Sequence, residues 1–195
     1  MILRSRLHSV LTSFLLFCFS WPFLACESDT QHQITIQTGP DTYRRFMPEA
    51  AIAEYLEFPS EPDQLRISVA NFPLSCEKYL APRGDQVVVS FLIKVPTGKE
   101  LSQGTYLWKG LPKSENEMTE PLVLPYVRFS GGGRSLPPGG QFELISFSPE
   151  PFAEVQARAQ LRGAEPGASY QIGVSGMISA RLCRVSLDEN RRKLE

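Results

Sequence analysis

Along most of the chain, hydrophobic and polar side chains alternate one for one. Leu65, Ile67 and Val69 are separated by Arg66 and Ser68, and Val87, Val89, Phe91, Ile93 and Val95 keep a single parity. A period of two sends successive side chains to opposite faces of an extended backbone, so each run predicts a half-buried strand. The same pattern predicts strands over residues 104–109, 122–129, 141–147, 155–161 and 170–183. In the fourth of these, Val155, Ala157, Ala159 and Leu161 oppose Gln156, Arg158 and Gln160. In the last, Tyr170, Ile172, Val174, Ile178, Ala180 and Leu182 share a face, with Gly173 and Gly176 available for a bend. Breaks rich in Gly and Pro at 112–121 and 131–140 read as exposed loops.

One segment resists the pattern. Residues 48–57 open with Pro48 and Glu49 and continue with good helix formers, which favours one short helix there. Phe46, Ala51, Ala53 and Tyr55 could instead line a strand, because tertiary pairing overrides local propensity. The runs amount to about seven or eight strands, and with their turns they predict an all-β domain, either an antiparallel sandwich or a squat barrel.

The amino terminus follows a different rule. Arg4 and Arg6 precede an uncharged run that continues to Cys26. A basic head, an apolar middle and a small residue before the cut make a secretory signal. A retained membrane helix over 7–25 is the competing reading, although Ser9, Thr12, Ser13 and Pro22 interrupt it. An ordinary cut after Ala25 prefers a small residue where Phe23 stands. Leu24-Ala25-Cys26 instead resembles a bacterial lipobox, whose cysteine thiol receives a diacylglyceryl group before cleavage leaves that cysteine first. Phe23 departs from the aliphatic residue usual at its place.

Cysteine parity supports the same assignment. Loss of residues 1–25 removes Cys18 and leaves Cys26, Cys76 and Cys183, an odd number in an oxidising compartment. Lipid on Cys26 leaves Cys76 and Cys183 to form a disulfide; a Cys26 that stays free or pairs between molecules is the alternative. Several acyl chains on one residue hold a membrane lastingly, where a single chain does not. The expected organisation is a lipoprotein-type signal over 1–25, a polar tether over 26–33, a single all-β domain over 34–185 and a polar tail over 186–195.

The region 64–183 also resembles a loose group of small uncharacterised bacterial lipoproteins of the myxobacterial type. The resemblance rests on Leu74-Ser75-Cys76 after a strand, on the runs Leu-Ser-Gln-Gly-Thr-Tyr at 101–106 and Gly-Gln-Phe-Glu-Leu at 140–144, and on an ending that closes at Cys183. It implies an all-β envelope domain with one disulfide and no established activity.

Composition narrows the chemistry. With 42% hydrophobic and 21% charged residues the chain is an ordinary globular one, and 20 Lys and Arg against 21 Asp and Glu leave no field to gather nucleic acid. His8 leaves with the signal and His32 lies in the tether, so the folded domain holds no histidine for a triad or a metal site. Ser75 and Lys78 have Ser-x-x-Lys spacing but lack its companion motifs, and 131–140 lacks the Gly-Lys-Ser/Thr ending and helix of a phosphate loop. Arg44-Arg45 and Arg191-Arg192-Lys193 read as solvated surface. Among carboxylates, Glu143, Glu150 and Glu154 lie close in sequence, while Asp85, Glu115, Glu117 and Glu120 sit at turns. Trp108 and Tyr126 form a stacking face for sugar or a partner's apolar anchor if they are exposed together.

These readings predict a non-enzymatic, lipid-anchored structural or interaction module of a bacterial cell envelope, without cofactor, metal or nucleic acid. Its partner would be a protein or a glycan. Without acylation the protein would be secreted or periplasmic. A binding domain for a small ligand, lipid or glycan is the first alternative, with Phe91, Ile93 and Ile172 lining an enclosed cavity; a carboxylate-based hydrolase is the second.

Overall fold

The computed structural model describes residues 34–37, 43–58, 62–76, 81–112, 118–164, 167 and 171–186. The signal, the tether with Cys26 and His32, Lys78, Glu115, Glu117 and the tail beyond Ser186 lie outside the described residues. Eleven strands follow in chain order: β1 (Ile34–Gln37), β2 (Tyr43–Phe46), β3 (Ala50–Glu57), β4 (Gln64–Ala70), β5 (Val87–Lys94), β6 (Gly104–Leu107), β7 (Leu122–Phe129), β8 (Gly132–Ser135), β9 (Gly140–Ser146), β10 (Glu154–Ala164) and β11 (Gln171–Ser186). No helix occurs among the described residues.

Eight strands close on themselves in the order β10-β9-β6-β7-β5-β4-β3-β11, with β11 returning to β10. Six of the eight neighbouring pairs are antiparallel, and β6–β7 and β3–β11 are parallel. The molecule is therefore a mixed barrel and not an antiparallel sandwich. Both parallel seams are incomplete. The edge of β7 is shared between β6, which meets it at Leu107↔Leu122, and β8, which pairs with Tyr126–Phe129. The edge of β11 is shared in the same way, by the β1–β2 hairpin at Gly173–Gly176 and by β3 at Arg181–Ser186.

Alternation explains the core. Leu65, Ile67 and Val69 of β4, Phe91 and Ile93 of β5, Phe142 and Leu144 of β9 and Ile172 of β11 all point inward and are fully buried. The Phe91 and Phe142 rings lie 4.8 Å apart within this packed cluster. An eight-stranded barrel is narrow enough for side chains to fill it, and here they do.

Two local expectations are corrected. Residues 48–57 do not form a helix; all but the first two belong to β3. An isolated helix of that length is marginal in water, whereas the extended chain finds seven register pairs with β4 and six with β11. Ala53 and Leu56 are thereby buried, Glu54 takes a bidentate ion pair with Arg66 at 2.7 and 3.0 Å, and the Tyr55 hydroxyl donates to Asp63 at 2.5 Å. The other correction is the stretch 131–140, expected to be loop, whose first half is β8. Gly131, at φ 87°, makes the turn out of β7, and a Cβ on Gly133 would meet the Tyr126 ring at 2.6 Å.

Cys76 and Cys183 are joined in a disulfide across 107 positions, with Cα atoms 5.7 Å apart. Leu182 faces the core, so Cys183 faces outward, level with Glu54 of β3. The bond clips the segment that follows β4 onto the outside of the parallel β3–β11 seam.

Candidate functional site

An open groove of about 580 Å3 lies between β6 and the segment leading into β7. Strand order creates it. β6 bonds to β9 along one edge, with Gly104↔Leu144 and Tyr106↔Phe142 in register, and Trp108 extends the ladder by donating its amide to the Gly140 carbonyl at 3.2 Å. Backbone groups alternate in direction along an antiparallel pair. The amides and carbonyls of Gly104, Tyr106 and Trp108 therefore face β9, and those of Thr105 and Leu107 face the other way. Leu107 meets Leu122 there, residues 118–121 line the groove without belonging to a strand, and among the described residues no strand partners Thr105 on that edge.

The lining is mixed. Leu107 is 43% exposed and Leu111 69% exposed, and Met118 contributes a third apolar side chain. Lys109 pairs with Glu120 at 3.1 Å on the rim, where both are largely exposed, and the Lys99 ammonium holds the far wall by donating to the Thr119 carbonyl at 3.3 Å. Tyr106 turns inward beneath the groove and donates its hydroxyl to the Ser102 carbonyl; burial pushes its phenol above the ordinary value, against a smaller lowering effect from the backbone and side chain of Ser102. The arrangement supplies a backbone donor and acceptor, apolar flanks and an ion pair neutralised within itself. It is equipped for non-covalent recognition.

The stacking face of Trp108 and Tyr126 does not form. Trp108 is 4% exposed, and its indole N–H is shared between the carbonyls of Leu136 at 3.0 Å and Pro137 at 2.9 Å. Tyr126 is half-buried under Gly133, with the Arg128 guanidinium 5.8 Å from its ring centre. Parity held the signal: Trp108 shares a face with the core residue Tyr106, while Thr105, Leu107 and Lys109 share the face that lines the groove. The groove itself escaped sequence reading because it depends on where β7 leaves β6, which no local pattern encodes.

The candidate carboxylates have ordinary surface partners. Glu143 pairs with Arg158 at 3.2 Å, and Glu154 accepts from the Ser179 hydroxyl and from Gln156 at 3.2 Å, which lowers its pKa, the Ser179 bond most. Glu150 donates its backbone amide to the Ser148 hydroxyl at 3.4 Å. Among the described residues, no group of three or more His, Cys, Asp and Glu is placed to hold a metal ion. The chain matches no protein-family model, no curated protein and no solved structure.

Proposed function

We propose that the protein is a lipid-anchored module of a bacterial cell envelope that works by surface recognition and not by catalysis. The observation that carries this reading is the partition of the cysteines. Cys76 and Cys183 are bonded to each other, so Cys26 remains the odd thiol of the exported chain, within Leu24-Ala25-Cys26, and a lipid is the fate that consumes it. The disulfide also accords with an oxidising compartment. Recognition is supported by where space lies in the molecule. Phe91, Ile93 and Ile172, the residues that would surround an enclosed ligand, are packed into the core with Phe142, while the open groove is on the outer wall.

Intact-mass spectrometry of the protein extracted from bacterial membranes tests the anchor. The expected mass is that of a chain beginning at Cys26 and carrying diacylglyceryl, with the Cys26→Ala variant released from the membrane fraction. An unmodified chain beginning at residue 26 or 27 overturns the anchor and leaves a secreted or periplasmic protein.

A further inference from the structure

We infer that the groove beside β6 receives an extended, uncharged polypeptide segment, which adds to β6 as an extra strand in the gap between β6 and residues 118–121. The inference rests on the recognition reading and gives it a partner class. Three observations carry it. The amide and carbonyl of Thr105 point away from β9, where among the described residues the β6–β7 register holds Leu107↔Leu122 and no strand pairs with Thr105, and a strand edge is matched by the donors and acceptors of another extended backbone. A sugar or a lipid tail has no such spacing. The second observation is side-chain alternation: Thr105, Leu107 and Lys109 stand on the exposed face of β6 and its continuation, and Leu107, Leu111 and Met118 of the groove lining offer apolar contacts to the side chains of an added strand. The third is charge. Lys109 and Glu120 already neutralise each other on the rim, so the groove complements a segment without net charge and offers nothing to a polyanion.

The length of the free edge limits the strength of the contact. β6 has four residues and its remaining edge is already occupied at Leu107. A short edge protects the chain from indiscriminate sheet growth and confines recognition to the amide and carbonyl of Thr105, supplemented by side chains.

The experiment uses the full chain in detergent micelles, labelled with 15N at threonine and leucine, and titrates it with a capped hexapeptide of alternating threonine and valine. Expected are shifts of the Thr105 and Leu107 amides and slowed hydrogen exchange at Thr105. The same peptide N-methylated at alternate residues, which removes its donors on one edge, should bind about tenfold more weakly, the value of one or two lost hydrogen bonds. Thr105→Pro removes the amide from the β6 edge and should weaken binding to a similar extent; a circular dichroism spectrum matching the parent's shows that the variant folds. Equal binding of the methylated peptide overturns the inference without relying on any variant. So do shifts confined to other strand edges, or perturbation of the groove by a chitin oligosaccharide when the peptide causes none. Because acylation of Cys26 is read by mass and peptide addition by Thr105, failure of either leaves the other standing.

Discussion

Tyr106 and Trp108 stand two positions apart, and both turn inward, yet they meet the polar backbone differently. The indole N–H is a weakly demanding donor and is satisfied by two carbonyls of the 136–137 segment. The phenol is ionisable, so its burial is conditional on pH. Its pKa is raised in the fold because desolvation disfavours the phenolate more than the backbone and side chain of Ser102 favour it. The sign follows directly. Below about pH 10 both folded and unfolded chains hold the proton and the site costs nothing; as pH rises from there toward the folded value, the unfolded chain ionises first and stability falls. Tyr106→Phe should therefore lose roughly 1 kcal/mol at neutral pH, where the hydroxyl bond is missing, and lose less on passing from pH 9 to pH 11 than the parent. Urea midpoints at the two pH values check this, and parallel declines would contradict it. Both residues were legible as strand positions by parity; that Trp108 is core depends on Leu136 and Pro137 arriving from a distant part of the chain.

At the scale of elements, the strands legible in the sequence are those with regular alternation: β4, β5, β6, β7, β9, β10 and β11. β3 was obscured because partners on both edges and partial cover on both faces leave its burial with no clean period of two. Its alanines and glutamates read as helix formers when considered alone. β8 was obscured by composition, since Gly132 and Gly133 carry no side chain to alternate, and Gly133 is required by the closeness of Tyr126. Glycine has a similar role where β11 crosses β10. Gly173 lies opposite Arg162 in the ladder, and a Cβ there would sit 2.4 Å from the Leu161 carbonyl oxygen, which is backbone and cannot swing aside. Gly173→Ala should destabilise the barrel by roughly 1–3 kcal/mol through forced separation of the two strands. The contrast is Gly98, whose Cβ would meet nothing within 4 Å; its φ of +80° makes any cost there one of backbone strain alone. Chemical denaturation of the two variants, with hydrogen exchange of the β10–β11 amides, separates the cases: only Gly173→Ala should speed exchange along that ladder.

Closure of the whole molecule depends on β11, which carries the chain from one neighbour to another within a single strand. Its first part is held by eleven register pairs with β10, while its last part has six with β3 in a parallel seam. Beyond Arg181, among the described residues, turn contacts between Phe152, Ala153 and Leu182 continue the β10 side. The disulfide acts on this less supported end, joining Cys183 to the segment after β4 across 107 positions. A closed loop of that length restricts the unfolded chain by about 4 to 5 kcal/mol in the chain-entropy account, an upper figure since measured gains often fall short. The ladder with β10 does not need the bond, so a Cys76→Ser, Cys183→Ser double variant should keep the β-sheet spectrum of the parent. It should lose a few kcal/mol of unfolding free energy, and amides over 182–186 should exchange faster while those over 171–181 keep their order of protection. Urea unfolding combined with residue-resolved exchange measures both effects. Loss of protection spread evenly along β11 would mean that the staple holds the barrel closed, and unchanged stability would mean that it restrains nothing. The fold permits both roles; the count of partners on each side of Arg181 favours the local one.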